Sequence, residues 1–211
     1  AKSGLLQNWE PLESLKLSPL PCRGDRPLAV FSQVKVQYCG RDVCGPVSFA
    51  LHPGERVVLD GKNGSGKSSL LKVLLGESIP HSGIITTSAG LVVSYVPQDT
   101  AHLNGLLSHF AEEHHLDESL FKGILRKMGF ERVQFEKKME AFSAGQKKKV
   151  LLAASLCQPA HLYVWDEPLN FVDLHTRLQI TSLLRQAQPT MLFVEHDRAF
   201  QEEIATQKIS L

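Results

Sequence analysis

The stretch RVVLDGKNGSGKSSLLKVLLG, at positions 56–76, decides the fold of this chain. Residues 56–60 form a short apolar run rich in β-branched side chains, which predicts a buried strand. Residues 68–75 carry leucines at helical spacing and are followed by Gly76, so a helix is expected there. A glycine-rich loop separates the two. A strand, a loop and a helix in this order indicate an α/β fold.

The loop at positions 61–68 matches the pattern G-x-x-x-x-G-K-[ST] in the structural context that this pattern requires. Its glycines let backbone N–H groups converge on phosphate oxygens, and the helix N-terminus adds positive potential. Lys67 would bridge the β- and γ-phosphates, and the Ser68 hydroxyl would bind Mg²⁺. The candidate nucleotide-binding residues here are Gly61, Asn63, Gly64, Ser65, Gly66, Lys67, Ser68 and Ser69.

A second candidate site is the run LYVWDE at positions 162–167, in which an apolar strand ends in two acids. In a parallel sheet such acids lie at the carboxyl edge, where ligands bind. Asp166 would hold Mg²⁺ through its water shell, and Glu167 would act as the general base on the attacking water. The dipeptide alone could also be a solvated acidic turn, but together with the phosphate-binding loop it predicts a hydrolytic site.

The rest of the chain continues the alternation of strands and helices. Further strands are expected at residues 28–37, 47–51, 91–96 and 191–194, with helices at residues 143–156 and 173–187 and a mostly helical insert at residues 103–139. This order predicts an α/β fold with a mainly parallel core sheet. The apolar fraction of 43% excludes a disordered chain. The net charge of +1 does not by itself predict binding to nucleic acid or membranes, so any such partner must be argued from other features.

Three features of the sequence predict the cellular location and the domain boundaries: the lack of membrane-spanning and export segments, the cysteines, and the composition of residues 1–27. No apolar stretch reaches the length of a membrane span, and the opening residues lack the pattern of an export signal. We therefore expect a cytoplasmic protein with reduced cysteines and no direct membrane insertion. Residues 1–27 are polar and interrupted by proline, which is typical of the end of an interdomain linker. A single domain is then expected over residues 28–211, with its helical insert at about 102–145.

The segment FSAGQ at positions 142–146 resembles the LSGGQ signature of ATP-binding-cassette ATPases. Phe142 replaces the leading leucine and Ala144 the first glycine. Independently of the family, Ser143 and Gln146 have the spacing of a capping box at a helix start, and the free N–H groups there can face a phosphate.

Other segments resemble the same family in the same order. Gln98 fits the Q-loop, residues 170–173 fit the D-loop, and His196 fits the switch histidine. The resemblance implies an ABC-type P-loop NTPase with an antiparallel β subdomain and a helical signature subdomain, binding ATP and Mg²⁺. It implies catalytic roles for Glu167, His196 and Gln98; metal binding by Ser68, Gln98 and Asp166; contacts to the opposite cassette's nucleotide by Ser143, Gly145 and Gln146; and adenine stacking by Tyr38, with Phe31 as the alternative.

Within this superfamily, EPLNFVD at positions 167–173 resembles the E-P-x-N-x-x-D of the ABC-F class. The runs FSAGQKKK and VEHDRAF resemble its antibiotic-resistance, ribosome-protection branch. This implies the C-terminal cassette of a two-cassette protein without a membrane domain. Its partners would be the N-terminal cassette of the same parent chain, or a second copy of this domain, and the ribosome.

Two other functions share many of these residues. The ATPase subunit of a membrane transporter would have the same catalytic set and a different partner. A non-hydrolysing module that uses nucleotide only for structure is the third possibility, and the presence of Lys67, Glu167 and His196 together argues against it.

Three consecutive lysines, Lys147, Lys148 and Lys149, fall in the first turns of the helix expected at residues 143–156. The helix macrodipole disfavours cations at this end. An anionic partner would explain them, but a solvated helix face is the expected arrangement.

Overall fold

The computed structural model describes residue 17, residues 19–22 and residues 24–211. Its strands are β1 (Ala29–Tyr38), β2 (Arg41–Leu51), β3 (Arg56–Asp60), β4 (His81–Thr87), β5 (Val93–Val96), β6 (Leu162–Asp166), β7 (Met191–Val194) and β8 (Gln207–Ser210). Its helices are α1 (Lys67–Leu74), α2 (Leu107–Glu113), α3 (Glu118–Lys127), α4 (Ala144–Cys157), α5 (Leu174–Ala187) and α6 (Arg198–Ile204). The fold is mixed α/β, as the sequence predicts.

A five-stranded parallel sheet forms the centre, in the order β5-β6-β7-β3-β8. Every residue of β6 and β7 is buried, which explains why both read as unbroken apolar runs. Because the strands are parallel, their carboxyl ends meet at one edge of the sheet. The loops after β3, β6 and β7 therefore lie side by side at that edge.

A three-stranded antiparallel sheet, in the order β2-β1-β4, packs beside this centre. The stacked rings of Phe31 and Phe49, with centroids 4.3 Å apart, fill its inner face. The sheet confirms the expected antiparallel subdomain, but β2 begins earlier than predicted and β4 was not predicted. Strand β4 is almost wholly exposed, so it lacks the alternation of apolar and polar residues that reveals a half-buried strand.

Helices dominate the segment between β5 and β6. It contains α2, α3, two short 3₁₀ helices at Arg132–Glu136 and Met139–Ala141, and then α4. Phe110 and Phe121 stack at 5.9 Å inside this part of the core. The helix predicted at residues 143–156 is confirmed as α4, displaced by one residue.

The last two elements, α6 and β8, were missed by the sequence analysis. Strand β8 has four residues, three of them exposed, and among the described strands it pairs with β3 alone, about 150 positions earlier. Its pairing with such a distant strand leaves no local sequence signal. No helix in the described part of the chain is long and apolar enough to cross a membrane.

The expected linker over residues 1–27 lies mostly outside the described residues. Within its described part, Leu17 packs against the core and the Leu20 amide donates to the Ala160 carbonyl over 2.9 Å. These residues therefore contact the domain beside the start of β6.

Candidate functional site

A cleft of about 700 Å³ opens at the carboxyl edge of the parallel sheet. It brings together most of the predicted site residues, although they are spread over about 160 positions of the chain. Its lining consists of Tyr38, Val43, Asn63, Gly64, Gly66, Lys67, Ser68, Ser69, Gln98, Glu167 and His196.

The glycine-rich loop forms the floor of this cleft. Gly66 has a φ of 84° and caps α1, and a Cβ there would lie 3.1 Å from the Cβ of Cys44. Lys67 is buried, and its ammonium donates to the carbonyls of Gly61 and Lys62 over 2.8 and 2.9 Å. The loop is thus wrapped around its own lysine, which holds a positive charge where a phosphate would bind.

Gly61 and Ser65 do not line the cleft. A Cβ on Gly61 would lie 2.7 Å from the Ser65 hydroxyl oxygen, so the two residues face each other inside the loop. Both were predicted to bind the nucleotide directly, whereas here they shape the loop and do not line the cleft.

Ser68 and Asp166 form the candidate metal position. The Ser68 hydroxyl donates to Asp166 Oδ1 over 3.0 Å. Asp166 is fully buried, and burial raises the pKa of its carboxyl while the Ser68 bond lowers it. Its other oxygen, Oδ2, has no hydrogen-bond partner among the described residues. A buried carboxylate with a spare oxygen beside a hydroxyl is a donor set that suits Mg²⁺.

Glu167 and His196 face each other across the loops that follow β6 and β7. His196 Nε2 lies 3.3 Å from Glu167 Oε1, and the side-chain amide of Asn170 donates from Nδ2 to Glu167 Oε2 over 3.4 Å. Glu167 has a φ of 47°, a left-handed conformation that a non-glycine residue adopts at a cost. Neighbouring bonds must therefore hold the backbone at Glu167 in this conformation.

The two aromatic candidates are separated by their burial. Phe31 is 1% exposed in the antiparallel sheet, so it is a core residue and cannot stack on a base. Tyr38 is 46% exposed at the rim of the cleft, and its hydroxyl lies 2.8 Å from Ser69 Oγ. Of the two, only Tyr38 is placed to contact a nucleotide.

The signature residues form the expected capping box but lie outside the cleft. The Gln146 amide donates to Ser143 Oγ over 3.2 Å, and the Ser143 amide donates to the Gln146 side-chain oxygen over 2.9 Å. None of Ser143, Gly145 and Gln146 lines the cleft that contains Lys67.

Gly145 also has a role inside the chain. A Cβ at this position would lie 2.4 Å from the backbone oxygen of Phe171. Only glycine allows the start of α4 to approach the loop after β6 so closely.

The expectation of a solvated lysine face was wrong for Lys148 and Lys149. Lys148 is 1% exposed and donates to the carbonyls of Pro97 and Gln98 over 2.9 and 3.1 Å. Lys149 pairs with Asp173. Because α4 packs between the helical insert and the parallel sheet, its first turns meet backbone carbonyls and an acid rather than water.

Sequence reasoning also missed Glu195, which is 7% exposed beside His196. Its carboxylate accepts hydrogen bonds from the backbone amides of Leu169, His196 and Asp197. The available signal was its position at the end of a buried strand, which is the same signal that identified Asp166.

Several known proteins are similar in sequence to this chain. The chain is 32% identical over 178 residues to the probable ATP-binding protein YheS of Escherichia coli K12, covering 82% of this chain and 28% of YheS. It is 30% identical over 167 residues to the ribosome protection protein VmlR of Bacillus subtilis, covering 77% of this chain and 30% of VmlR. The chain thus spans less than a third of the length of these curated relatives.

Among solved structures, the ATP-binding subunit of an ABC transporter superposes with a TM-score of 0.68 at 23% identity, covering 87% of this chain and 85% of that one. At this identity the likeness concerns the fold alone. Residues 44–170 match the family described as ABC transporter, and this range includes the phosphate-binding loop, the signature segment and both acids. The chain belongs to the ABC transporter family and is an ATP-binding cassette.

Proposed function

We propose that this chain binds ATP with Mg²⁺ in the cleft and hydrolyses it. The observation that carries the proposal is the presence of two carboxylates at one sheet edge, each with its own partner: Asp166 with the Ser68 hydroxyl at 3.0 Å and Glu167 with the His196 ring at 3.3 Å. One pair suits a metal and the other suits a water that must lose a proton, and Lys67 lies in the same cleft.

Each residue has a separable role in this reaction. Lys67 and the loop amides would bind the β- and γ-phosphates, and Ser68, Asp166 and Gln98 would hold Mg²⁺. Glu167 takes the proton from the attacking water, and His196 keeps that carboxylate in position beside the phosphate. The bound Mg²⁺ would supply charge stabilisation to the phosphate oxygens. Tyr38 would stack on the adenine.

The placement of the signature residues supports a second cassette. Ser143, Gly145 and Gln146 lie outside the cleft of their own chain, at the start of α4, where the helix dipole places positive potential. They would complete the nucleotide site of a partner cassette, either the N-terminal cassette of the same parent chain or a second copy.

We further propose that the parent is a cytoplasmic ABC-F protein in which this chain is the C-terminal cassette and residues 1–27 are the end of the linker. Its partner would be the ribosome, and its role antibiotic resistance by ribosome protection. The support is the EPLNFVD segment and the similarity to VmlR. The likeness to a transporter subunit keeps membrane transport as the competing function.

Calorimetry with Mg-ATP tests nucleotide binding. Lys67→Ala should lower ATP affinity by at least about tenfold, because charge-assisted bonds to phosphate are lost. Lys62→Ala is the matched control, since it removes an exposed lysine of the same loop and keeps the backbone carbonyl that Lys67 uses. Equal affinity in wild type and Lys67→Ala would reject the site.

Ribosome pelleting tests the partner in the intact two-cassette protein. Glu167→Gln, combined with the same change in the other cassette, should bind ATP and stay closed because the general base is missing. The variant should then co-sediment with ribosomes far more than wild type does. Equal sedimentation, with hydrolysis absent in the variant, would favour the transporter function instead.

A further inference from the structure

Glu195 is a buried acid to which the proposed mechanism assigns no role. Its Oε1 accepts from the amides of His196 and Asp197 over 2.7 and 3.2 Å, and its Oε2 accepts from the amide of Leu169 over 3.1 Å. One carboxylate therefore satisfies three backbone donors. It lies in the interior, where such bonds are strong and an unpaired donor is costly.

These three amides belong to two different loops. Leu169 lies in the loop after β6, two residues beyond Glu167, whereas His196 and Asp197 begin the loop after β7. The two strands are hydrogen-bonded neighbours, so the loops emerge side by side. Glu195 thus ties the segment that presents Glu167 to the segment that presents His196.

The backbone at Glu167 requires such a tie. Its left-handed φ of 47° persists only if surrounding bonds hold it. One such bond is the Glu167 amide to the Val194 carbonyl, at 2.9 Å, and the next fixed amide along the loop is that of Leu169. Both bonds connect this loop to the end of β7, so the spacing between the Glu167 carboxylate and the His196 ring depends on them.

We propose that Glu195 is a positioning residue for hydrolysis, setting the 3.3 Å separation of Glu167 and His196 by clamping their two loops. It acts through these residues and touches no substrate. The inference rests on the proposed hydrolytic function.

The clamp needs a carboxylate of glutamate length. A carboxylate offers two acceptor oxygens and no donor, whereas the amide of Gln would turn an NH₂ group towards one of the three N–H donors. Asp is one methylene shorter, so it can accept from its own turn but cannot also reach Leu169. Glu195→Gln therefore tests the need for two acceptor oxygens, and Glu195→Asp tests the need for a side chain long enough to contact Leu169.

The test compares ATP turnover and ATP affinity in wild type, Glu195→Gln and Glu195→Asp, at one protein concentration. Glu202→Gln is the matched control, since it neutralises an exposed acid on the adjacent helix α6. Misplacing a reacting group by about 1 Å costs on the order of 10²-fold, so kcat of Glu195→Gln should fall at least about tenfold while its ATP Kd changes less than about threefold.

A double-variant comparison identifies the route of the effect. If Glu195 acts through the Glu167 and His196 pair, Glu195→Gln should reduce kcat less than about twofold further in a His196→Ala background. A fully additive loss, an unchanged kcat in Glu195→Gln, or an ATP affinity that falls as far as kcat would each overturn the proposal.

Amide hydrogen exchange provides a readout that needs no turnover. In Glu195→Asp, the Leu169 amide should exchange faster while that of His196 keeps its protection. Unchanged protection of Leu169 would overturn the clamp, even if Glu195→Gln fails to fold. A wild type that binds ATP without hydrolysing it would instead reject the proposed function and leave the exchange result to judge the clamp.

Discussion

Asp173 shows at the scale of one residue how a short loop is held in place. It caps α5, accepting from the backbone and hydroxyl of Thr176, and it pairs with Lys149 of α4. Burial alone would raise the pKa of its carboxyl, but the bonds from Lys149 and Thr176 outweigh this effect and lower the pKa to about 2. Residues 170–173, which resemble a D-loop, are thereby linked to α4.

This lowered pKa predicts a pH dependence of stability. Above the usual pKa of 3.8 the carboxyl is ionised in both states and the native bonds contribute fully. As the pH falls from 3.8 towards about 2, the unfolded chain takes up the proton first, so the contribution is lost.

Urea unfolding of wild type and Asp173→Asn at pH 6 and pH 3 measures the contribution of the Asp173 charge to stability. Asn keeps the helix cap and removes the charge. The stability gap between the two proteins should narrow at pH 3. A gap that stays constant or widens would contradict the assigned pKa.

Two helical glycines predict opposite responses to alanine. Gly145→Ala should destabilise the chain, because its Cβ would lie 2.4 Å from the backbone oxygen of Phe171. Gly123→Ala in α3 meets nothing within 4 Å, so it should stabilise by about 0.5–1 kcal/mol through helix propensity. Denaturant melts of both variants check this, and a stabilised Gly145→Ala would show that α4 and the loop after β6 do not approach so closely.

At the scale of elements, a buried polar network joins α4 to β5 and β6. The Trp165 indole donates to Ser155 Oγ over 2.9 Å, and the Ser94 and Ser155 hydroxyls lie 2.7 Å apart. All three side chains are buried. The network fixes the position of α4 relative to β5, which Gln98 follows, and to β6, which ends at Asp166.

Removing Ser155 and Trp165 together should cost less than the sum of the two separate losses. Ser155→Ala leaves the buried Trp165 N–H without its acceptor, which should cost about 1–3 kcal/mol. Adding Trp165→Phe removes that donor too. The loss of stability in the double variant should therefore be smaller than the sum of the losses in the two single variants. A double-mutant cycle by urea unfolding measures the coupling, and strictly additive losses would exclude the bond.

At the scale of the whole molecule, the cleft and the signature turn lie at separate places on one chain. A single copy therefore lacks part of the proposed nucleotide site. Specific ATPase activity of this chain should rise with protein concentration, since two copies must meet before either site is complete.

A variant that lacks the proposed general base should accumulate as a dimer in the presence of ATP. Glu167→Gln with ATP should shift the sedimentation coefficient towards a dimer, and Lys67→Ala should remain a monomer because it cannot hold the nucleotide. Fast turnover independent of concentration, or a monomer under every condition, would contradict the composite site.

Some features were determined by contiguous sequence. The phosphate-binding loop, the capping box of Ser143 and Gln146, and the buried strands β3, β6 and β7 depend on residues within a few positions of one another. Backbone propensity, glycine conformation and capping bonds act at that range, so local patterns predict them. The alternation of strands and helices then predicted the α/β class, and the resemblance to ATP-binding-cassette ATPases implied that Tyr38, Gln98 and His196 belong to the site.

Other features were decided only when distant segments packed together. Ser68 meets Asp166 across 98 positions, Lys148 is buried because α4 lies over the Gln98 loop, and Glu195 accepts from the Leu169 amide of the loop that follows the neighbouring strand β6. A lysine or glutamate is solvated unless the fold brings acceptors or donors to it, and its own neighbours in sequence do not say whether that happens. The sequence alone therefore indicated the candidate residues of the site, whereas the bonds that hold them in place depend on the tertiary structure.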